Sequence, residues 1–234
     1  MKLKVCGMKY NPEAVATLQP DYLGFIFWEK SARFFEGEMP SIPKNIKKVG
    51  VFVDASLEDV LETIQKFNLD AAQLHGQETP EFCNLVRKQF SNISNVRLSG
   101  VEMASHSRKG PLEIIKVFSI KDDFDFSVLK PFESVCDYFL FDTKGKLPGG
   151  NGYAFDWKIL EKYPSTKPYF LSGGIGLENQ EDLKSFLKTD AAQYCHAIDI
   201  NSKFEKQPGH KNIEAVKEFK NFLTEMNQRK KVKS

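Results

Sequence analysis

Eight short β-rich runs recur along this 234-residue chain, and all but the last lead into a turn and then a helical or mixed stretch. They cover 2–6, 22–27, 48–53, 71–75, 113–120, 137–142, 168–172 and 195–200. Strands separated by helices cannot pair through tight hairpins. Each crossover carries the chain back to the same end of the sheet, so the strands run parallel. Eight such units in one chain predict a single-domain α/β fold, the closed (β/α)8 TIM barrel, which typically takes about 250 residues. An open doubly wound sheet is the alternative, and it normally holds fewer strands around one crevice.

The segments between the runs carry helix signals. Asn11-Pro12-Glu13 places a cap before a first-turn proline. Ser56-Leu57-Glu58-Asp59 opens a helix in capping-box style, with an apolar stripe at Leu57, Val60, Leu61 and Ile64. Thr79-Pro80-Glu81 starts another, 179–187 reads as a further one, and 212–226 closes the chain as an amphipathic helix. The interval before the fifth run is too long. It predicts a helix ending near Phe90 and an irregular insertion over about 91–112, with a small hairpin at 96–102. The barrel domain is therefore expected over 1–226, followed by a frayed basic tail at 227–234.

Hydrophobic residues make up 41% of the chain and charged residues 27%, the balance of a soluble globular protein. No apolar run approaches the roughly 20 residues that span a bilayer. Lysines interrupt the first residues, so no signal peptide is expected, and the reading is cytoplasmic with no membrane partner. The net charge of +2 comes from the tail, where Arg229, Lys230, Lys231 and Lys233 cluster. The body is slightly acidic, which disfavours a nucleic-acid partner. Nothing points to an obligate protein partner. The four cysteines, Cys6, Cys83, Cys136 and Cys195, have no metal-ligand spacing, and a reduced state is expected. Cys83, Cys136 and Cys195 sit in apolar runs as small core residues.

Barrels place their chemistry where strands end and the following loops begin. Alternation on the first strand puts Lys4 and Cys6 on one face and Leu3 and Val5 on the other. If that face is the interior, a thiol stands at the mouth with an ammonium below it, and the cation favours thiolate. The alternative is an inert core cysteine. Asp142 follows an apolar run at the sixth strand end, as either an acid with a raised pKa or a turn cap. The loop beyond it carries Gly149 and Gly150, whose backbone could face an anion. Gly173-Gly174 after the seventh strand and Asn201-Ser202 after the eighth suit a phosphate. Arg33 lies in the loop after the second strand, as a carboxylate fork or a surface cation. Gln73, His75 and Asp199 complete the strand ends, with His75 either a base or a turn-packing residue.

Taken in order, Lys4-Val5-Cys6-Gly7, Ser31-Ala32-Arg33, Gln73-Leu74-His75-Gly76, Phe141-Asp142-Thr143, Gly149-Gly150-Asn151-Gly152, Leu171-Ser172-Gly173-Gly174 and Asp199-Ile200-Asn201-Ser202 with Glu205 and Pro208-Gly209 closely resemble phosphoribosylanthranilate isomerase of tryptophan biosynthesis. The resemblance spans nearly the whole chain, except the insertion and the tail. It implies an Amadori rearrangement of N-(5-phosphoribosyl)anthranilate to 1-(2-carboxyphenylamino)-1-deoxyribulose 5-phosphate. It further implies Cys6 as general base, Asp142 as general acid and Arg33 on the anthranilate carboxylate. Gly173, Gly174, Asn201 and Ser202 would hold the phosphate, and Lys4, Gln73, His75, Gly149, Gly150 and Asp199 would line the pocket. No metal and no cofactor are implied. That chemistry asks for a Cys6 thiolate near neutrality and a protonated Asp142. The chain departs from the family in two places. Lys203 replaces a glycine beside the phosphate, and Ala32 replaces the proline before Arg33.

Overall fold

A computed structural model describes residues 1–98, 110–121, 123–143 and 156–231. Eight parallel strands close into a barrel in chain order: β1 (Lys2–Val5), β2 (Tyr22–Ile26), β3 (Lys47–Phe52), β4 (Ala71–Leu74), β5 (Glu113–Ile120), β6 (Tyr138–Thr143), β7 (Tyr169–Leu171) and β8 (Cys195–Ile200). Closure is made by β1 against β8, with Lys4 opposite Asp199 and Val5 opposite Ile200. Each predicted run coincides with one of these strands to within a residue or so at either end.

The helical layer is uneven. Full helices are α1 (Pro12–Ala16), α2 (Leu57–Phe67), α3 (Pro80–Leu98), α4 (Gln180–Phe186) and α5 (Ile213–Lys231). After β5 and β6 the described segments form 3-10 turns at Phe126–Phe132 and Trp157–Lys162. No helix follows β2, where Gly37, Pro40 and Pro43 interrupt the chain. Ser56 caps α2 as expected, its hydroxyl accepting the Asp59 N–H at 3.1 Å. Asn11 makes no side-chain cap; its amide is bonded instead to the backbone of Lys211.

Two boundaries differ from the sequence reading. α3 does not stop near Phe90 but continues to Leu98, so the start of the expected insertion is helical. Nothing in 91–98 breaks a helix, since the first glycine beyond Phe90 is Gly100 and the first proline is Pro111. The hairpin expected at 96–102 is excluded for residues 96–98, and its remainder lies outside the described residues. The tail is also not frayed at 227, because α5 runs to Lys231. Asn227 accepts from the Met1 ammonium at 2.7 Å and donates to the Met1 carbonyl at 2.9 Å.

Alternation along the strands sorts the core. Leu3, Val5, Leu23, Phe139 and Phe141 point outward, into the cluster that packs helices on the barrel. Tyr22, Val49, Ala71, Ile115, Leu140, Phe170 and Ala197 fill the interior near its floor. One period further along those strands come Gln73, Asp142 and Asp199, all buried. The interior therefore changes from apolar to polar toward the strand C-termini. Cys83, Cys136 and Cys195 are buried, as expected of core residues.

One buried pair fixes a loop at this end. Lys116 Nζ lies 2.8 Å from Glu78 Oε2 and 2.7 Å from the Gly76 carbonyl, and both side chains are almost fully buried. Glu78 in turn accepts the N–H groups of Asp54 and Gly76. Lys116→Met strands a carboxylate in the interior, so we expect a loss of about 3–5 kcal/mol. Chemical denaturation would measure it, and a loss under about 1 kcal/mol would mean the pair is solvated.

Candidate active site

The carboxyl ends of the strands form a mouth lined by Cys6, Arg33, Gln73, His75, Asp142, Gly173, Gly174, Asp199, Asn201 and Ser202. It encloses about 700 Å³ of space, part of it open solvent. Ten residues singled out from sequence thus meet in one place, although they come from six separate strand ends. Lys4 does not line this mouth. It is fully buried beneath it, its Nζ 2.7 Å from Asp199 Oδ2. Gly149 and Gly150 lie outside the described residues.

Cys6 follows β1 and is 5% exposed. Gly24 on β2 leaves room for it, since a Cβ there would stand 2.8 Å from Cys6 Sγ. The surroundings of Cys6 work against the expected thiolate, the Asp199 carboxylate adding to the effect of burial. Burial pushes the Cys6 thiol up, and the Lys4 and Lys211 ammonium groups offset this only in part. The reason is dielectric. A cation acting on a group this deeply buried must also overcome the loss of water around the thiolate. Lys4 itself stays charged, because Asp199 and Cys6 outweigh its own desolvation.

Asp142 ends β6, 5% exposed, and its Oδ1 accepts the Thr143 N–H at 3.0 Å. Its Oδ2 lies 3.5 Å from His75 Nε2. Gln73 Nε2 sits 3.2 Å from His75 Nδ1. Gly173 crosses over this strand end at φ +91°; a Cβ there would collide with Thr143 and come within 2.9 Å of Asp142 Oδ1. Gln73 Oε1, His75 Nε2 and Asp199 Oδ1 are buried without a hydrogen-bond partner among the described residues. Unpaired buried polar atoms are costly, so their concentration at the mouth marks where a polar ligand belongs.

The opposite wall carries Arg33, whose Nε and Nη2 donate to Glu205 at 2.7–3.0 Å. Nη1 makes no hydrogen bond among the described residues. Gly7, at φ +76°, lets this wall close over β1; a Cβ there would sit 2.6 Å from Asn201 Oδ1 and 2.7 Å from Arg33 Cδ. Lys203 is not directed at the mouth. Its Nζ pairs with Glu178 Oε1 at 2.8 Å, linking the loops after β7 and β8. Sequence reasoning passed over Lys211, a fully buried cation behind Glu205, because nothing in the spacing of Pro208-Gly209-His210-Lys211 marks it. It also passed over Ile26, Trp28, Val51, Val53 and Ile175, which supply the mouth's apolar surface. No group of three potential metal ligands occurs among the described residues, and no described helix is long and apolar enough to cross a membrane.

A closed parallel barrel with facing polar groups at its carboxyl-end mouth defines a (β/α)8-barrel with a small-molecule site. The family model for N-(5'phosphoribosyl)anthranilate (PRA) isomerase matches residues 3–109 and 91–221. An N-(5'-phosphoribosyl)anthranilate isomerase of Parabacteroides distasonis is 38% identical over 227 residues, covering 94% of this chain and 91% of its own. That of Phocaeicola vulgatus is 37% identical, covering 95% and 98%. The crystal structure of the Thermus thermophilus phosphoribosyl anthranilate isomerase shares the fold, with a TM-score of 0.74 at 23% identity over 97% of this chain and 100% of that one. The chain belongs to the N-(5'-phosphoribosyl)anthranilate isomerase family.

Proposed function

We propose that this protein catalyses the Amadori rearrangement of N-(5-phosphoribosyl)anthranilate in tryptophan biosynthesis, with Asp142 as general acid and Cys6 as general base. The observation that carries the reading is the presence of both groups, one from β1 and one from β6, in a single buried mouth. Asp142 protonates the furanose ring oxygen as the C1–O bond breaks, and the anilino nitrogen's lone pair forms an iminium at C1. The iminium acidifies C2–H. Cys6 removes that proton, giving the enolamine, which tautomerises to the 2-ketose. The atoms balance as an isomerisation, and no redox partner is needed.

The active form carries a proton on Asp142 and none on Cys6. The iminium sets a positive charge near Cys6, which favours thiolate at the moment it is needed. His75 stands beside that carboxyl, its Nε2 3.5 Å from Asp142 Oδ2. Arg33 offers its Nη1 edge to the anthranilate carboxylate. The phosphate falls to Gly173, Gly174, Asn201 and Ser202, where positive-φ glycines turn backbone N–H groups to an anion.

Freshly generated N-(5-phosphoribosyl)anthranilate supplied to the purified protein should disappear at least ~10^6-fold faster than in buffer, its fluorescence loss matched by formation of the ketose product. Loss at the buffer rate would rule out the enzyme and leave a phosphate-binding barrel.

A further inference from the structure

Behind the Arg33 wall lies a charged network that the proposed chemistry does not use. Glu205 begins a short strand, β9 (Glu205–Gln207), which pairs antiparallel with β10 (His210–Lys211) just after the barrel closes. Lys211 is fully buried. Its Nζ donates to Glu205 Oε1 at 2.6 Å, to Asn201 Oδ1 at 2.7 Å and to the Asn201 carbonyl at 3.2 Å. Its backbone is clamped on both sides by the Asn11 amide, at 2.9 Å each. Glu205 Oε1 also accepts the Gly209 N–H at 3.1 Å, and both its oxygens accept from Arg33. One ammonium thus grips the residue that orients Arg33 and a residue of the phosphate loop.

We propose that Lys211 is a positioning residue for the anionic ends of the substrate: by fixing Glu205 and Asn201 together, it presents Arg33 and the loop after β8 in register. This rests on the functional reading above. A buried ammonium with three acceptors has one geometry, whereas Arg33 alone on a long side chain has many. The network leaves one net positive charge, two cations against the Glu205 carboxylate, at the wall that faces the substrate's carboxylate. Cys6 after β1, Arg33 after β2 and Glu205 on β9 are the charged or titratable groups facing Lys211. Burial opposes the Glu205 carboxylate, yet Arg33 and Lys211 outweigh it and hold it below the usual range. Burial also pulls the Lys211 ammonium down to about 8, against Glu205 and Cys6.

The test compares wild type, Lys211→Met, Arg33→Met and the double variant. Two quantities are read: the dissociation constant of the reduced product analogue 1-(o-carboxyphenylamino)-1-deoxyribulose 5-phosphate by calorimetry, and the split between kcat and KM. Lys211→Met should weaken the analogue and raise KM by about tenfold or more, a larger effect than the fall in kcat that loss of a cation near Cys6 brings. The double variant should lose less than the product of the two single losses, since both variants remove Arg33's share and only the Asn201 share is separate. Wild-type affinity for the analogue should also fall as pH rises through about 8, because Lys211 loses its charge there, and Lys211→Met should lose that limb. Unchanged affinity in Lys211→Met, or losses that multiply in the double variant, would overturn the proposal. If Lys211→Met does not fold, Glu205→Gln carries the comparison, and wild-type affinity in that variant would overturn it equally. Wild type that binds the analogue without turning over substrate counts against the enzyme reading alone; wild type that does not bind it removes both.

Discussion

Asp142→Asn should lower kcat by ~10^2–10^4-fold while leaving KM and thermal stability close to wild type. Asparagine preserves the volume and keeps an oxygen for the Thr143 N–H, so the turn at the end of β6 survives. What it removes is the proton for the ring oxygen. Without that proton the departing alkoxide leaves from C1 as a strong base, and the iminium forms too slowly to matter. Steady-state kinetics with a parallel melting curve would separate the two effects. Near-normal kcat in a folded Asp142→Asn protein would end the general-acid assignment and move attention to His75, whose Nε2 lies 3.5 Å from the same carboxyl.

Cys6→Ala should be comparably severe, ~10^2–10^4-fold in kcat, because it removes the thiol that takes the C2–H proton. The thiol's own titration gives a second, independent measurement. Burial holds Cys6 above its ordinary range, and even an unperturbed thiol is only about 3% thiolate at pH 7. In the ligand-free protein, alkylation of Cys6 by iodoacetamide should therefore be slow at neutrality. It should climb about tenfold per pH unit beyond pH 8, as it tracks the thiolate fraction. Labelling mapped by mass spectrometry distinguishes Cys6 from the other three cysteines. An alkylation rate already level below pH 8 would show that Lys4 and Lys211 dominate after all, and that the mouth is wetter than its exposure indicates.

The contrast between these two residues shows where a sequence is readable. That Cys6 and Lys4 share a face followed from strand alternation alone, and the barrel interior does receive both. That Lys4 acts as a neighbour of Cys6 was legible too. Its effect on the thiol was not, because the sign depends on how much water is removed, and burial depends on what seven other strands place around the site. Arg33 was legible as a residue of the mouth. Its engagement by Glu205, 172 residues away in sequence, was not, and neither was Lys211 behind them. The misplaced boundaries at Phe90 and Asn227 have a local cause instead. Polarity at 91–98 and at the tail was read as loop, although both stretches contain residues that sustain a helix and nothing that stops one.

The sequence by itself determined the order and direction of the eight strands, since period-two runs separated by crossovers admit only a parallel sheet. It also determined which residues end those strands, and so which chemistry the mouth could contain. The tertiary structure alone decided which of those groups carry charge and which partners hold them. Strand order is a local property of short segments. Electrostatics in a closed barrel is a property of distance and dielectric, and both exist only once β1 has met β8 and the interior has lost its water.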